Sequence, residues 1–218
     1  MRISIVVPCI LSLGLAAAQT GSVTKDNLGL VGGRFKPLKY DEMTPEQKIM
    51  IDHLLSGERR KNLGGPFNIL LRSPEMGDLA QQFGASMRFH ASLPARARET
   101  VIVTVARYWG AQFEWSAHKR AALQAGVSPA IVDAIAQGRR PQGMDADIGT
   151  AYSFITELLK TKQVSDATFD AAKNRFGEKG VVDMIGLGGW YSMVSMALNV
   201  DRYPTAGPEL KPLTNPLP

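Results

Sequence analysis

The chain has 218 residues, of which 44% are apolar and 21% charged, with a formal charge of +5. That is enough apolar material for an ordinary hydrophobic core, in a length usual for a single domain. The positive charge is dispersed, with local clusters at Arg59-Arg60-Lys61 and Arg139-Arg140; without a basic stripe interleaved with aromatics, nucleic acid is not an expected partner.

Residues 1–18 read as a signal peptide. Met1-Arg2 is a charged start, residues 3–15 are almost continuously apolar, and Ala16-Ala17-Ala18 supplies small residues for cleavage before Gln19. The apolar run is short for a membrane span, and no later stretch is expected to supply the roughly 20 apolar residues that a span needs. The expectation is an exported chain, periplasmic or secreted, with no membrane association after cleavage. The only cysteine, Cys9, lies within the removed segment, so the mature protein would have neither a disulfide nor a thiol.

Residues 19–43, rich in Gly and Lys, read as an extended N-terminal arm. A helical domain over 44–201 follows. Thr44-Pro45-Glu46-Gln47 combines an N-cap, a proline at the first helical position and a capping-box glutamine, and that helix should end at about Ser56. Gly64-Gly65-Pro66-Phe67 is a turn, and Ser73-Pro74 starts a helix lasting to about Ala91. The next helix, from Ala95 to Trp109, holds the β-branched run Val101 to Val105, for which a buried strand is the rival reading. Its flanks, Arg96-Ala97-Arg98-Glu99 and Ala106-Arg107, contain no turn residues, and favour helix. Gly110 breaks the chain into a hairpin whose second helix runs to Ala125, with Gly126 as its stop. Ser128-Pro129 starts a short helix, and further helices are predicted over about 145–161, 166–176 (with Ser165 as cap) and 180–199. Residues 202–218 hold five of the thirteen prolines and read as a C-terminal arm.

The hairpin carries the chemistry. Glu114 and His118 are four residues apart and so lie on one helix face, where an acid and an imidazole can share a proton. Phe113 and Trp115 flank Glu114, and apolar walls raise a carboxyl pKa by desolvation. Glu99, one helix earlier, has Arg96, Arg98 and Arg107 near enough in sequence to pair with it. His90 reaches toward the same region from the preceding helix, whereas His53 reads as an exposed residue. In the last helix, Gly186, Gly188 and Gly189 permit close approach of a neighbouring helix or a ligand, and Trp190 and Tyr191 are placed to wall a pocket or a subunit interface. Glu99, Glu114 and His118, with His90, also offer N and O donors to zinc, manganese or iron. However, His-Glu-x-x-His is absent, and the expectation is no metal. Gly186-Leu187-Gly188-Gly189 follows no strand, which argues against nucleotide binding.

Leu93-Pro94, Arg98-Glu99, Val105-Ala106-Arg107 and Glu114-Trp115-x-x-His118, with Gly180-Val181-Val182-Asp183 and Gly189-Trp190-Tyr191 further on, resemble the carboxymuconolactone decarboxylase and AhpD-like superfamily. The resemblance implies an all-α, AhpD-like helical bundle with a central helical hairpin. It also implies a homo-oligomer, trimer or hexamer. The peroxidase branch of that superfamily uses a Glu, a Cys-x-x-Cys pair and a His; the Glu falls on Glu99, the His on His118, and the two cysteines on Ala111 and Glu114. Neither Ala nor Glu can attack a peroxide or form a disulfide. The lactone decarboxylase branch works without thiol, metal or organic cofactor.

The favoured expectation is therefore a lyase: cofactor-free decarboxylation of a small organic acid or lactone. Glu114 would donate the proton, His118 would hold or reload it, and Glu99 would assist. Arg98, Arg107, Trp115, His90, Trp190 and Tyr191 are the expected substrate-binding residues. The alternatives are a peroxiredoxin-like activity, for which the thiols are missing, and an exported small-molecule-binding protein without catalysis.

Overall fold

The computed structural model describes residues 23–59, 63–207 and 209–211. The proposed signal peptide, Cys9 and the end of the C-terminal arm lie outside the described residues. Within them the chain is all-α: α1 (Pro45–Ser56), α2 (Phe67–Leu70), α3 (Pro74–Ala85), α4 (Ala95–Trp109), α5 (Gln112–Gln124), α6 (Pro129–Ala136), α7 (Ala146–Thr161) and α8 (Asp166–Asp201). A π-helical turn, Ser86–His90, prolongs α3, and a 3-10 turn covers Tyr40–Glu42.

The helix ends follow from local chemistry. Thr44 and Gln47 form the reciprocal capping box, Thr44 N donating to Gln47 Oε1 at 3.0 Å and Gln47 N to Thr44 Oγ1 at 3.3 Å. Ser128, Asp145 and Ser165 each accept a backbone N–H three residues on. Gly110 takes the left-handed conformation (φ 61°, ψ 27°) that closes α4. The two helices expected over 166–176 and 180–199 form one run interrupted at Gly177, whose φ of 70° and ψ of 174° are not helical; only glycine adopts that combination readily. The four-residue helix α2 was not anticipated, being too short to show a period.

Helix α4 is the axle of the bundle, packed against α5, α7 and α8. Two apolar clusters meet on it. Val101, Ile102 and Val105 join a cluster with Phe154, Ile155, Met184, Leu187 and Trp190, while Val103 and Ala106 join another with Trp115, Ile131, Ile135 and Tyr152. A helix buried on all sides loses its amphipathic period, which is why the β-branched run resembles a core strand. The buried hydroxyls of Thr100 and Thr104 each donate at 2.7 Å to the carbonyl four residues earlier, so α4 enters the core with those groups satisfied.

Helix α8 also passes through the core. One window of it, with mean hydropathy 1.3, is long and apolar enough to cross a membrane, contrary to the expectation that no stretch after residue 18 would be. Burial of 56% of that window inside the protein accounts for its apolarity. A Cβ on Gly188 would meet Ile155 Cδ1 at 2.9 Å, and one on Gly186 would meet Met87 Sδ at 2.5 Å, whereas Gly189 faces open space. Close helix approach thus explains two of the three glycines. A closer approach to α8 comes from a glycine on α3, since a Cβ on Gly84 would lie 2.2 Å from Trp190 Cζ2. Gly84→Ala is expected to push that indole aside and cost about 1–3 kcal/mol as an overpacking change. A thermal melt checks this, and an unchanged midpoint would show that the ring has room to move.

Both terminal segments are tied to the bundle. Asp201, at the end of α8, accepts the backbone N–H of Gly33 at 3.0 Å and of Phe35 at 2.7 Å. At the other end, Gln112 Oε1 accepts the N–H groups of Glu209 and Leu210, both at 2.9 Å, and Gln112 Nε2 donates to the Leu210 carbonyl at 2.9 Å. Leu210 is buried in the cluster around Trp115.

Candidate active site

The hairpin at Gly110 sets α5 against α4, so that side chains 19 residues apart in sequence meet. His118 Nδ1 lies 2.7 Å from Glu99 Oε2. Its other nitrogen, Nε2, lies 3.4 Å from Glu114 Oε2. The imidazole is thus held between two carboxyl groups, and all three side chains are buried (Glu99 6%, Glu114 5%, His118 2% exposed). The short contact to Glu99 makes Nδ1 the donor nitrogen, and Nε2 then presents its lone pair to Glu114. Tyr191, from α8, sets its ring edge-on to the imidazole with centroids 4.9 Å apart.

Glu114 and His118 open onto a pocket of about 300 Å³. Helix α5 contributes Phe113 and Ala117 to its lining, α8 contributes Trp190, Tyr191 and Val194, the chain after α1 contributes Glu58 and Arg59, and the π-turn contributes Arg88 and Phe89. Burial pushes the Glu114 carboxyl above the usual glutamate range, although His118, Arg88 and Arg59 pull it back. A raised carboxyl facing a small pocket is a proton donor in waiting. Burial likewise holds the Tyr191 phenol well above its ordinary value.

Of the expected residues, the structure brings together Glu99, Glu114, His118, Trp190 and Tyr191. It sets the others elsewhere. Trp115 is buried in the second apolar cluster, not in the pocket wall; one residue beyond Glu114, it points about 100° away around the helix. Phe113 supplies the wall instead. Arg107 donates from Nη1 to the Lys211 carbonyl at 2.9 Å and does not line the pocket. Eight residues along α4 from Glu99, it is displaced by about 12 Å along the axis. Arg98 reaches only as far as Glu99, with Nε 3.8 Å from Oε1, and Arg96 is engaged by Asp147 and Asp145. The main partner of Glu99 is therefore His118 and not an arginine. His90 is exposed, with Nε2 2.7 Å from Glu58 Oε1, at the pocket mouth but outside its lining. His53 is likewise at the surface, paired with Asp78. Among the described residues no three His, Cys, Asp or Glu side chains converge as a metal-ligand set.

Residues 74–155 match the carboxymuconolactone decarboxylase family. This chain carries a carboxymuconolactone decarboxylase family domain. No curated protein matches it. The matched span opens with α3 and closes within α7, so it takes in the whole hairpin with Glu99, Glu114 and His118. Arg59, Trp190 and Tyr191 fall outside it, so the matched span supplies the two carboxyl groups and the imidazole while flanking chain completes the pocket. Sequence reading missed Arg59, Arg88, Phe67 and Phe89. The one available signal was the spacing of Arg88 and Phe89 beside His90; nothing local pointed to Arg59.

Proposed function

We propose that the protein is a lyase of the carboxymuconolactone decarboxylase type, decarboxylating a small organic acid or lactone by acid–base chemistry. The observation that carries this reading is Glu114, a buried carboxyl with a raised pKa that faces the pocket and has an oriented imidazole behind it. Loss of CO₂ breaks the bond to the carboxyl carbon and leaves the electron pair on the substrate as a conjugated enolate. Transfer of the Glu114 proton to carbon quenches that anion. His118 Nε2 then relays a proton from solvent back to Glu114, while Glu99 holds the ring and balances the transient imidazolium. Export of the mature chain and assembly of a homo-oligomer belong to the same proposal.

The test is turnover in D₂O with a panel of unsaturated carboxylic acids and carboxylated lactones. The expected result is CO₂ and a product with one deuterium on carbon. Product formed with no loss of CO₂, or CO₂ released with no deuterium taken up, overturns the reading.

A further inference from the structure

The pocket contains a positive charge that the protein does not neutralise. The Arg59 guanidinium lies against two aromatic rings, its central carbon 5.2 Å from the Phe67 centroid and 5.6 Å from that of Phe89. Cation–π contacts of this kind help to hold the charged head in place. Yet Arg59 Nε and Nη2 are buried and have no hydrogen-bond partner among the described residues. A buried donor left unmatched costs free energy, more so when charged. Burial pushes the Arg59 pKa down to about 10, only partly offset by Tyr191 and Glu114.

The surroundings show what is missing. Arg88 lines the same pocket and adds a second positive charge. Glu58, the carboxylate at the mouth, is committed to His90. Glu114 does not cancel the charge while it keeps its proton. A third unmatched donor, the buried Tyr191 hydroxyl, lines the same space. The rest of the wall is aromatic and aliphatic: Phe113, Trp190 and Val194. An occupant must therefore carry an anionic group with two acceptor atoms for the fork, on a body that is small and apolar.

We propose that Arg59, held by Phe67 and Phe89, is the anchor of a carboxylate-binding subsite, and that the protein selects a small carboxylate with a planar apolar body. It rests on the acid–base reading only for the direction in which the substrate is presented: carboxylate to Arg59, reacting carbon to Glu114. A planar guanidinium fork accepts carboxylate or phosphate, but the apolar walls favour an organic anion over inorganic phosphate.

The experiment uses the full chain and follows tryptophan fluorescence, with Trp190 in the pocket wall, during titration with benzoate, benzamide and inorganic phosphate. Benzoate should bind saturably. Benzamide, of the same shape but uncharged, should bind at least about ten-fold more weakly, and Arg59→Gln should weaken benzoate by about 10–100-fold, the usual weight of a charge-assisted bidentate contact. Arg59→Lys should recover part of the loss, because it restores charge without the fork. Equal affinity for benzoate and benzamide, or a folded Arg59→Gln that binds benzoate like the parent, overturns the subsite. Phosphate binding as tight as benzoate overturns the organic class. Glu114→Gln keeps the two readings apart: it should bind benzoate undiminished, since binding needs no proton transfer. If that variant also keeps full turnover, the acid–base mechanism falls and the subsite stands.

Discussion

Replacing Glu114 by Gln is expected to lower turnover by about 10²–10⁴-fold, the usual contribution of a general acid. The amide keeps the shape of the side chain and its place beside His118 Nε2, 3.4 Å away in the parent, so what is lost is the transferable proton. Turnover by the parent protein should be high on the acid side and decline as pH rises through the raised Glu114 pKa, because only the protonated carboxyl can donate. Stability should move the same way. The folded pKa lies above the ordinary glutamate value of 4.5, so between the two values the folded chain binds more protons than the unfolded chain, and stability falls as pH rises across that interval. Glu114→Gln has no such proton to lose. It should therefore be nearly inactive, yet its melting temperature should drop less on the alkaline side than that of the parent. Normal turnover in a folded Glu114→Gln makes the carboxyl a packing group, and a parallel pH dependence of the two melts removes the buried-acid assignment.

The second large effect concerns the other side of the imidazole. His118→Ala removes the hydrogen-bond donor of the Glu99 carboxylate at a site only 6% exposed, leaving Arg98 Nε, at 3.8 Å, as its nearest cationic group. Removing one partner of a buried pair costs about 3–5 kcal/mol, measurable by urea or thermal unfolding. Adding Glu99→Gln to His118→Ala removes the stranded charge, so the double variant should regain much of that stability without regaining turnover. Glu99→Gln alone should fold well and lose turnover mainly in kcat. An amide lets the ring turn to the tautomer that points an N–H, instead of a lone pair, at Glu114, and a comparable tautomer error costs about 10⁴-fold in serine proteases. If the double variant is less stable than His118→Ala alone, Glu99 is not the charge being stranded.

Much of the fold was legible because helix ends announce themselves. Thr44 with Gln47, Ser165 and Gly110 are local chemistry, readable within four residues, and the helices they bound fell where the pattern placed them. Glu114 and His118 were legible for the same reason, since a spacing of four is a contact on a helix. The rest of the site depends on what the bundle brings together. Arg59 is far from Glu114 in sequence, and only the tertiary packing that brings the chain after α1 into the pocket lining joins them. Arg88 and Phe89 face the pocket from a π-turn, where an ordinary helical count misjudges direction. Trp115 shows the opposite error: nearness in sequence to Glu114 suggested a shared wall, while Ala122, seven residues on, shares its actual face in the second cluster.

The hydrogen bonds between Gln112 and residues 209–210 have a consequence for the order of assembly. Glu114 stands on the first turn of α5, and that turn is stitched by Gln112 to a segment made nearly a hundred residues later. A chain growing from its N-terminus can form the hairpin early, but it cannot make this anchorage until residues 209–210 have been made. Glu114 is thus braced only after those residues exist, and a chain that stops short of them carries the acid without the brace that holds it.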